Sequence, residues 1–155
     1  MDIGSKHGYP ASALSNFAPH PFMMDDVKCN GMEGWLQSLK FKSPDIQRHV
    51  CTLVGFSAKS AGKHKNWRRE QKLYWKGGVF DRHGSDYQVL LDRAYNAMFE
   101  QNESFRNALR ASGDAVLTHR IGRTKENETV LTQSEFCGRL MRLRRRLTEG
   151  AGKAD

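Results

Sequence analysis

Glu33, Gln37 and Lys40 lie at positions i, i+4 and i+7 of a segment that reads as helical. At about 100° per residue, seven positions return to within roughly 20° of the start, so the three side chains share one face. A carboxylate can move protons and an amide can orient a hydroxyl. An amine can bind phosphate or attack an aldehyde. Trp35, Leu36 and Leu39 fall on the other faces, where they can anchor the helix in a core. Spacing alone leaves a plainer reading open. Asn30-Gly31-Met32-Glu33 has the form of a capping box, in which Glu33 only reaches back to the helix start and Lys40 is a surface lysine.

The elements that must hold this face are mostly helices. Phe22 and Met24 alternate with polar residues, Asp25-Asp26 turns the chain, and Val27 and Cys29 follow, which predicts a short hairpin. The helix carrying Glu33 is expected to run to about Lys42. Pro44 suits the first turn of a second helix through about Leu53, and Ser57 the cap of a short one ending at Gly62. From Lys63 to Ser85 periodicity is lost while aromatic, basic and glycine residues crowd together. Tyr87, Leu90, Leu91, Ala94, Tyr95 and Met98 then recur at helical spacing. Asn102 can cap a helix with Phe105 and Leu109 that Gly113 closes, and Val116 to Ile121 reads as extended. Thr132-Gln133-Ser134-Glu135 is a capping box for a last helix with Phe136, Leu140, Leu143 and Leu147 as its stripe. The expected class is α+β, predominantly α-helical, with a small antiparallel β component. There is no βαβ alternation, so a doubly wound sheet is disfavoured.

A chain of 155 residues, 38% hydrophobic, suits one domain, placed at 1–148 with a flexible tail over 149–155. No apolar run approaches the roughly 20 residues of a membrane span. The N-terminal residues lack a signal pattern, and a cytoplasmic location is expected. Cys29, Cys51 and Cys137 are scattered and odd in number, reading as reduced, buried thiols without a disulfide framework or a zinc site. No metal and no cofactor is expected. The net charge of +8 attracts phosphates, nucleotides or nucleic acid without choosing among them. Part of it sits in Arg142–Arg146, which also reads as a solvated face.

Several ordered segments carry a family resemblance. Leu14-Ser15-Asn16-Phe17, Pro21-Phe22 and Met32-Glu33-x-Trp35-x-Gln37-x-x-Lys40-Phe41 resemble the opening of the NADAR (YbiA-like) family. Ala58-Lys59-x-x-Gly62, Asp86-Tyr87, Phe99-x-Gln101-Asn102, Leu109-x-x-Ser112-Gly113-Asp114 and Cys137-Gly138-Arg139-Leu140-Met141-x-x-Arg144 continue the likeness in order. Two residues depart from the pattern: Gly34 stands where the family has His, and Trp35 where it has Tyr. The family's later D-x-x-W-G segment is replaced by Thr118 to Arg123 and Glu128 to Thr132.

The resemblance implies a YbiA-like multihelical fold and an N-glycosidase acting on ribosylated pyrimidine intermediates of riboflavin synthesis or on ADP-ribosylated guanine. The implied partner is a phosphorylated ribosyl or ADP-ribosyl substrate, free or within modified nucleic acid. Glu33 takes the acid/base role, and Lys40 binds substrate or attacks C1 of an opened ribose. Ser15, Asn16 and Phe17 match the substrate-lining segment, with a packed turn as the alternative. Trp35 and Gln37, on the same helix, are also expected to contact the substrate. Trp67, Tyr74 and Trp75 can stack a base or pack in the core, and Asp81 is either a second carboxylate or a loop residue. His119 and Arg123, flanking Gly122, are expected to contact phosphate or ribose, and Glu128 is another candidate acid. His49 and His83 read as structural. A non-catalytic nucleotide- or nucleic-acid-binding module is the alternative function.

Overall fold

The computed structural model describes the backbone of residues 1–153 and the side chains of 1–149. The described residues form seven α-helices: α1 (Ala11–Leu14), α2 (Met32–Ser38), α3 (Pro44–Cys51), α4 (Gly55–Gly62), α5 (Ser85–Gln101), α6 (Glu103–Ala111) and α7 (Gln133–Lys153). Four strands form two separate antiparallel hairpins, β1 (Phe22–Met24) with β2 (Val27–Cys29) and β3 (Lys72–Trp75) with β4 (Gly78–Asp81). This is the predominantly helical α+β architecture expected. The tail expected over 149–155 lies largely outside the described residues, and α7 is assigned through Lys153.

Both hairpins close on two residues with positive φ, Asp25-Asp26 (48° and 66°) and Lys76-Gly77 (46° and 86°). That conformation matches the right-handed twist of the flanking strands. In the first hairpin Phe22, Met24, Val27 and Cys29 point inward, as their alternation predicts. The second hairpin occupies the stretch where no period was visible. Leu73 and Trp75 are buried on β3, whereas β4 exposes Val79 and only half buries Phe80, too weak an alternation to read.

The long helix α5 runs through the middle, burying Tyr87, Leu90, Leu91, Ala94, Tyr95 and Met98 against β1, β4, α6 and α7. Asn102 caps α6 by accepting from Phe105 N at 3.0 Å, and Gly113 leaves it at φ 58°. Thr132 and Glu135 close a reciprocal capping box on α7, Thr132 Oγ1 accepting from Glu135 N and Glu135 Oε1 from Thr132 N. Glu135 also receives Arg82 through two bonds of 2.7 and 3.1 Å, tying the end of the second hairpin to α7. The extended segment after Val116 pairs with the first residues through a parallel bridge between Asp2 and Thr118.

Three local expectations change. The short helix α4 begins at Gly55, with Val54 rather than Ser57 at its cap, and α3 stops at Cys51. The helix bearing Glu33 ends at Ser38 instead of Lys42, because its last turn tightens. Leu39, Lys40 and Phe41 N–H groups bond the carbonyls of Leu36, Gln37 and Ser38, three residues back. It packs against both α3 and α4 and is buried nearly all round, so no exposed face marks its end.

Candidate active site

The start of α2 decides between the two readings of Glu33. Its cap position is Gly31, with extended backbone and no side-chain cap. Asn30 is turned away, bonding the carbonyls of Cys51 and Thr52 at 2.9 and 2.7 Å. The capping box is therefore not formed. Glu33 Oε1 instead accepts from Gln37 Nε2 at 2.9 Å, one turn on.

Burial is the main force on Glu33. It pushes the carboxyl above its ordinary value, outweighing the Gln37 hydrogen bond and the nearby charges of Lys59, Lys40 and His119. The same burial pulls Lys40 down, helped by Arg68 and Lys59 and opposed by Glu33. Acid and amine are displaced toward each other, both away from their charged forms. The Lys40 amine donates to Gly62 O at 3.5 Å.

The loop before β1 is fastened to this helix. Glu33 N donates to Asn16 O at 3.1 Å, and Asn16 Oδ1 accepts from the buried Tyr95 hydroxyl at 2.7 Å. Ser15 Oγ accepts from Phe17 N, shaping the turn. The Phe17 ring lies 6.0 Å from the Lys59 amine. Tyr95 is held well above its usual value by burial, so it remains a hydroxyl donor. His119, whose charge also bears on Glu33, donates from Nδ1 to Ile3 O at 2.9 Å. Its ring stands edge-on to Phe136, 5.2 Å between centroids.

Asn16, Glu33, Gln37, Lys40 and, through its charge, His119 thus share one polar centre, and Ser15 and Phe17 shape the turn beside it. Other expected members do not join it. Trp35 is fully buried and packs edge-to-face on Trp75 at 5.8 Å, while Trp75 Nε1 donates to Asp25. Trp67 is also buried, so the tryptophans belong to the core rather than to a stacking platform. Asp81 is exposed and accepts from His83 N, which shapes the turn into α5. Arg123 and Glu128 pair with each other at 3.5 Å on the surface. Among the described residues, no three His, Cys, Asp or Glu side chains gather as a metal site. All three cysteines are buried and unbridged.

Two residues near the centre were not singled out by type or spacing. Tyr95 looked like one more member of a core stripe. Lys59 sat in Ala58-Lys59-x-x-Gly62, whose two small residues let α4 approach α2 closely. A Cβ on Gly62 would fall 1.9 Å from Gln37 Oε1. Two open hollows, of about 380 and 340 Å³, lie on the surface. The first is lined by Lys42, Lys72 and Tyr74, the second by Phe17 and His20, and neither includes Glu33.

Comparisons with known proteins bear on the whole chain. The family described as bacteriophage protein GP30.3 matches over residues 8–145. An uncharacterized 17.1 kDa protein in the Gp30-rIII intergenic region of Enterobacteria phage T4 is 40% identical over 149 residues, covering 93% of this chain and 96% of its own. The NMR structure of the E. coli protein YbiA superposes with a TM-score of 0.62 at 18% identity, covering 96% of this chain and 84% of that one. The fold is accordingly YbiA-like, and no described helix is long and apolar enough to cross a membrane.

Proposed function

The chain belongs to the bacteriophage protein GP30.3 family, and on that footing we propose that it is an N-glycosidase hydrolysing the bond between ribose and a base in a ribosylated or ADP-ribosylated nucleobase. The observation that carries this reading is the Glu33–Gln37–Lys40 wall, in which a half-buried acid and a half-buried amine flank the buried Gln37 and are each shifted toward neutrality. The YbiA-like fold and the residue pattern shared with NADAR proteins support it. So does the surrounding positive charge, which suits a phosphate or diphosphate on the substrate.

A protonated Glu33 gives its proton to the leaving nitrogen as the C1–N bond breaks and both bonding electrons depart with the base. Positive character develops at C1, which the resulting carboxylate stabilises. Water then adds its oxygen to C1 and returns a proton to Glu33. On this reading Asn16, held by Tyr95, and His119, through Nε2, contact the ribose hydroxyls. Lys40 has two chemically distinct roles open to it. As a cation it binds the substrate phosphate. As a neutral amine, the form burial favours, it adds to C1 of the ring-opened glycosylamine. The C1–N bond to the base then breaks, the base leaves with a proton, and water hydrolyses the Lys40 Schiff base to release the sugar and the amine.

The test is release of free base from ribosylamino-pyrimidines and ADP-ribosylated guanine substrates by wild type, Glu33→Gln, Lys40→Ala and Lys40→Arg. Loss of turnover in Glu33→Gln and Lys40→Ala is expected, and full activity in both would overturn the assignment. Arginine stays charged, so a phosphate-binding role predicts partial activity in Lys40→Arg. A nucleophilic role predicts none, together with a borohydride-trapped adduct in wild type that Lys40→Ala lacks.

A further inference from the structure

The positive charge is very unevenly placed. Between Lys59 and Lys76 the chain carries seven lysines and arginines against one acid, Glu70, a net six of the total +8. The arginine-rich stretch of α7 is different, because α5 neutralises part of it. Arg139 and Arg142 both meet Asp92, at 2.9 and 3.2 Å, and Arg146 approaches Glu100 at 3.7 Å. Among the described residues, no cation between 59 and 76 lies within ion-pair distance of a carboxylate. Crowding like charges without partners costs stability, so a ligand that supplies the opposite charge is the natural complement.

Three consecutive residues make these cations one surface. Lys40 lies against Gly62 and within the influence of Lys59 and Arg68. The half-buried ring of Phe41 has the Lys65 amine 5.2 Å from its centre. Lys42 stands 5.5 Å over the Tyr74 ring, and the two line the 380 Å³ hollow with Lys72 and Glu70. Tyr74 N bonds Leu39 O at 2.8 Å, fixing the second hairpin to this spine. Aromatic faces alternate with amines along it.

We propose that this basic and aromatic face, from Lys59 across Phe41 to the hollow at Tyr74 and Lys72, binds single-stranded nucleic acid. The amines take successive phosphates. The hollow has room for one unpaired base against Tyr74, with the Glu70 carboxylate available to accept from an exocyclic amino group. A duplex keeps its bases stacked inside and cannot fill such a hollow. The surface begins at Lys40, so a bound strand passes the Glu33 centre, yet strand binding does not require Glu33 to be catalytic.

The experiment is fluorescence anisotropy of labelled oligonucleotides, about 12 nucleotides of DNA or RNA, titrated with the full chain. For three to five phosphate contacts, affinity is expected to fall about 20- to 100-fold between roughly 50 and 200 mM salt. Lys42→Ala/Lys72→Ala should weaken binding and flatten the logarithmic salt slope by about 1.4. Tyr74→Leu should cost about tenfold at unchanged slope, since stacking is lost but no charge. Arg145→Ala, an exposed cation on α7, and Glu33→Gln should both bind as wild type does. Tighter binding of duplex, equal binding of inorganic polyphosphate, or wild-type affinity in Lys42→Ala/Lys72→Ala and Tyr74→Leu would each overturn the proposal. Because Glu33→Gln reports on binding alone, failure of the surface and failure of the glycosidase reading are separable.

Discussion

A carboxyl held above its ordinary value is a cost to the folded chain as well as a tool. Below the unfolded-state value near 4.5, Glu33 is protonated in both states and burial carries little penalty. As pH rises through its folded value, the native state must ionise the group in a desolvated setting, and stability is lost. Glutamine has the same shape and can still accept from Gln37 without ever ionising. Glu33→Gln should therefore melt higher than wild type at pH 8, with the gap closing toward pH 4.5. Its turnover should fall by about 10²- to 10⁴-fold, the usual contribution of an acid–base group. Parallel melting curves across that range, read by circular dichroism, would show that burial does not govern Glu33. The face bearing Glu33, Gln37 and Lys40 was legible from spacing, but spacing could not separate a capping glutamate from a buried one. That choice was made by Asn30, which the fold spends on the carbonyls of Cys51 and Thr52.

Helix α2 owes its position to two glycines, one of its own and one on α4. A Cβ at Gly34 would lie 2.4 Å from the backbone oxygen of Leu53 and 2.9 Å from that of Val50. Nothing flexible can yield there, so the His that the NADAR pattern places after the glutamate has no room in this chain. At Gly62 the clash is with the Gln37 amide and, at 3.2 Å, with the Lys40 side chain. Gly34→Ala should thus fail to fold stably. Gly62→Ala should cost about 1–3 kcal/mol while displacing Gln37 and lowering turnover more than a surface change would. Chemical denaturation paired with kinetics tests both. Equal, mild losses would show that the helices separate freely. Helices α5, α6 and α7 were readable because each has a cap or one apolar stripe. Helix α2 is buried on nearly every side, polar residues included, which erased its end, and the second hairpin turns on Lys76-Gly77 with too little alternation to announce it. Tyr95 and Lys59 reach the site from two other helices, and no spacing within one segment could join them to Glu33.

Across the whole molecule, one fully buried arginine joins the second hairpin to the last helix. Arg82 donates to both oxygens of Glu135 and to Thr129 O at 2.8 Å, with its guanidinium 5.0 Å over the Tyr87 ring. Tyr87 in turn donates to Val130 O, and Gln88 to Glu135, so α5 enters the same network. The side chains of Arg82 and Glu135 are 0% and 9% exposed, so removing one partner strands a desolvated charge. Arg82→Met should cost about 3–5 kcal/mol. The pH behaviour has the opposite sign to that of Glu33. Burial alone would raise the Glu135 carboxyl, but Arg82, the Thr132 amide and Gln88 together hold it below its ordinary 4.5. Its contribution is therefore fully present above pH 4.5 and is lost as pH falls through the depressed folded value. Wild type should lose stability steeply in that acid window, and Glu135→Gln, weaker at pH 7, should decline less on the way down. If urea midpoints of the two fall in step below pH 4.5, the proton is being taken up elsewhere. The hairpin that bears Tyr74 and Lys72 would then be held to the helical body by packing rather than by this ion pair.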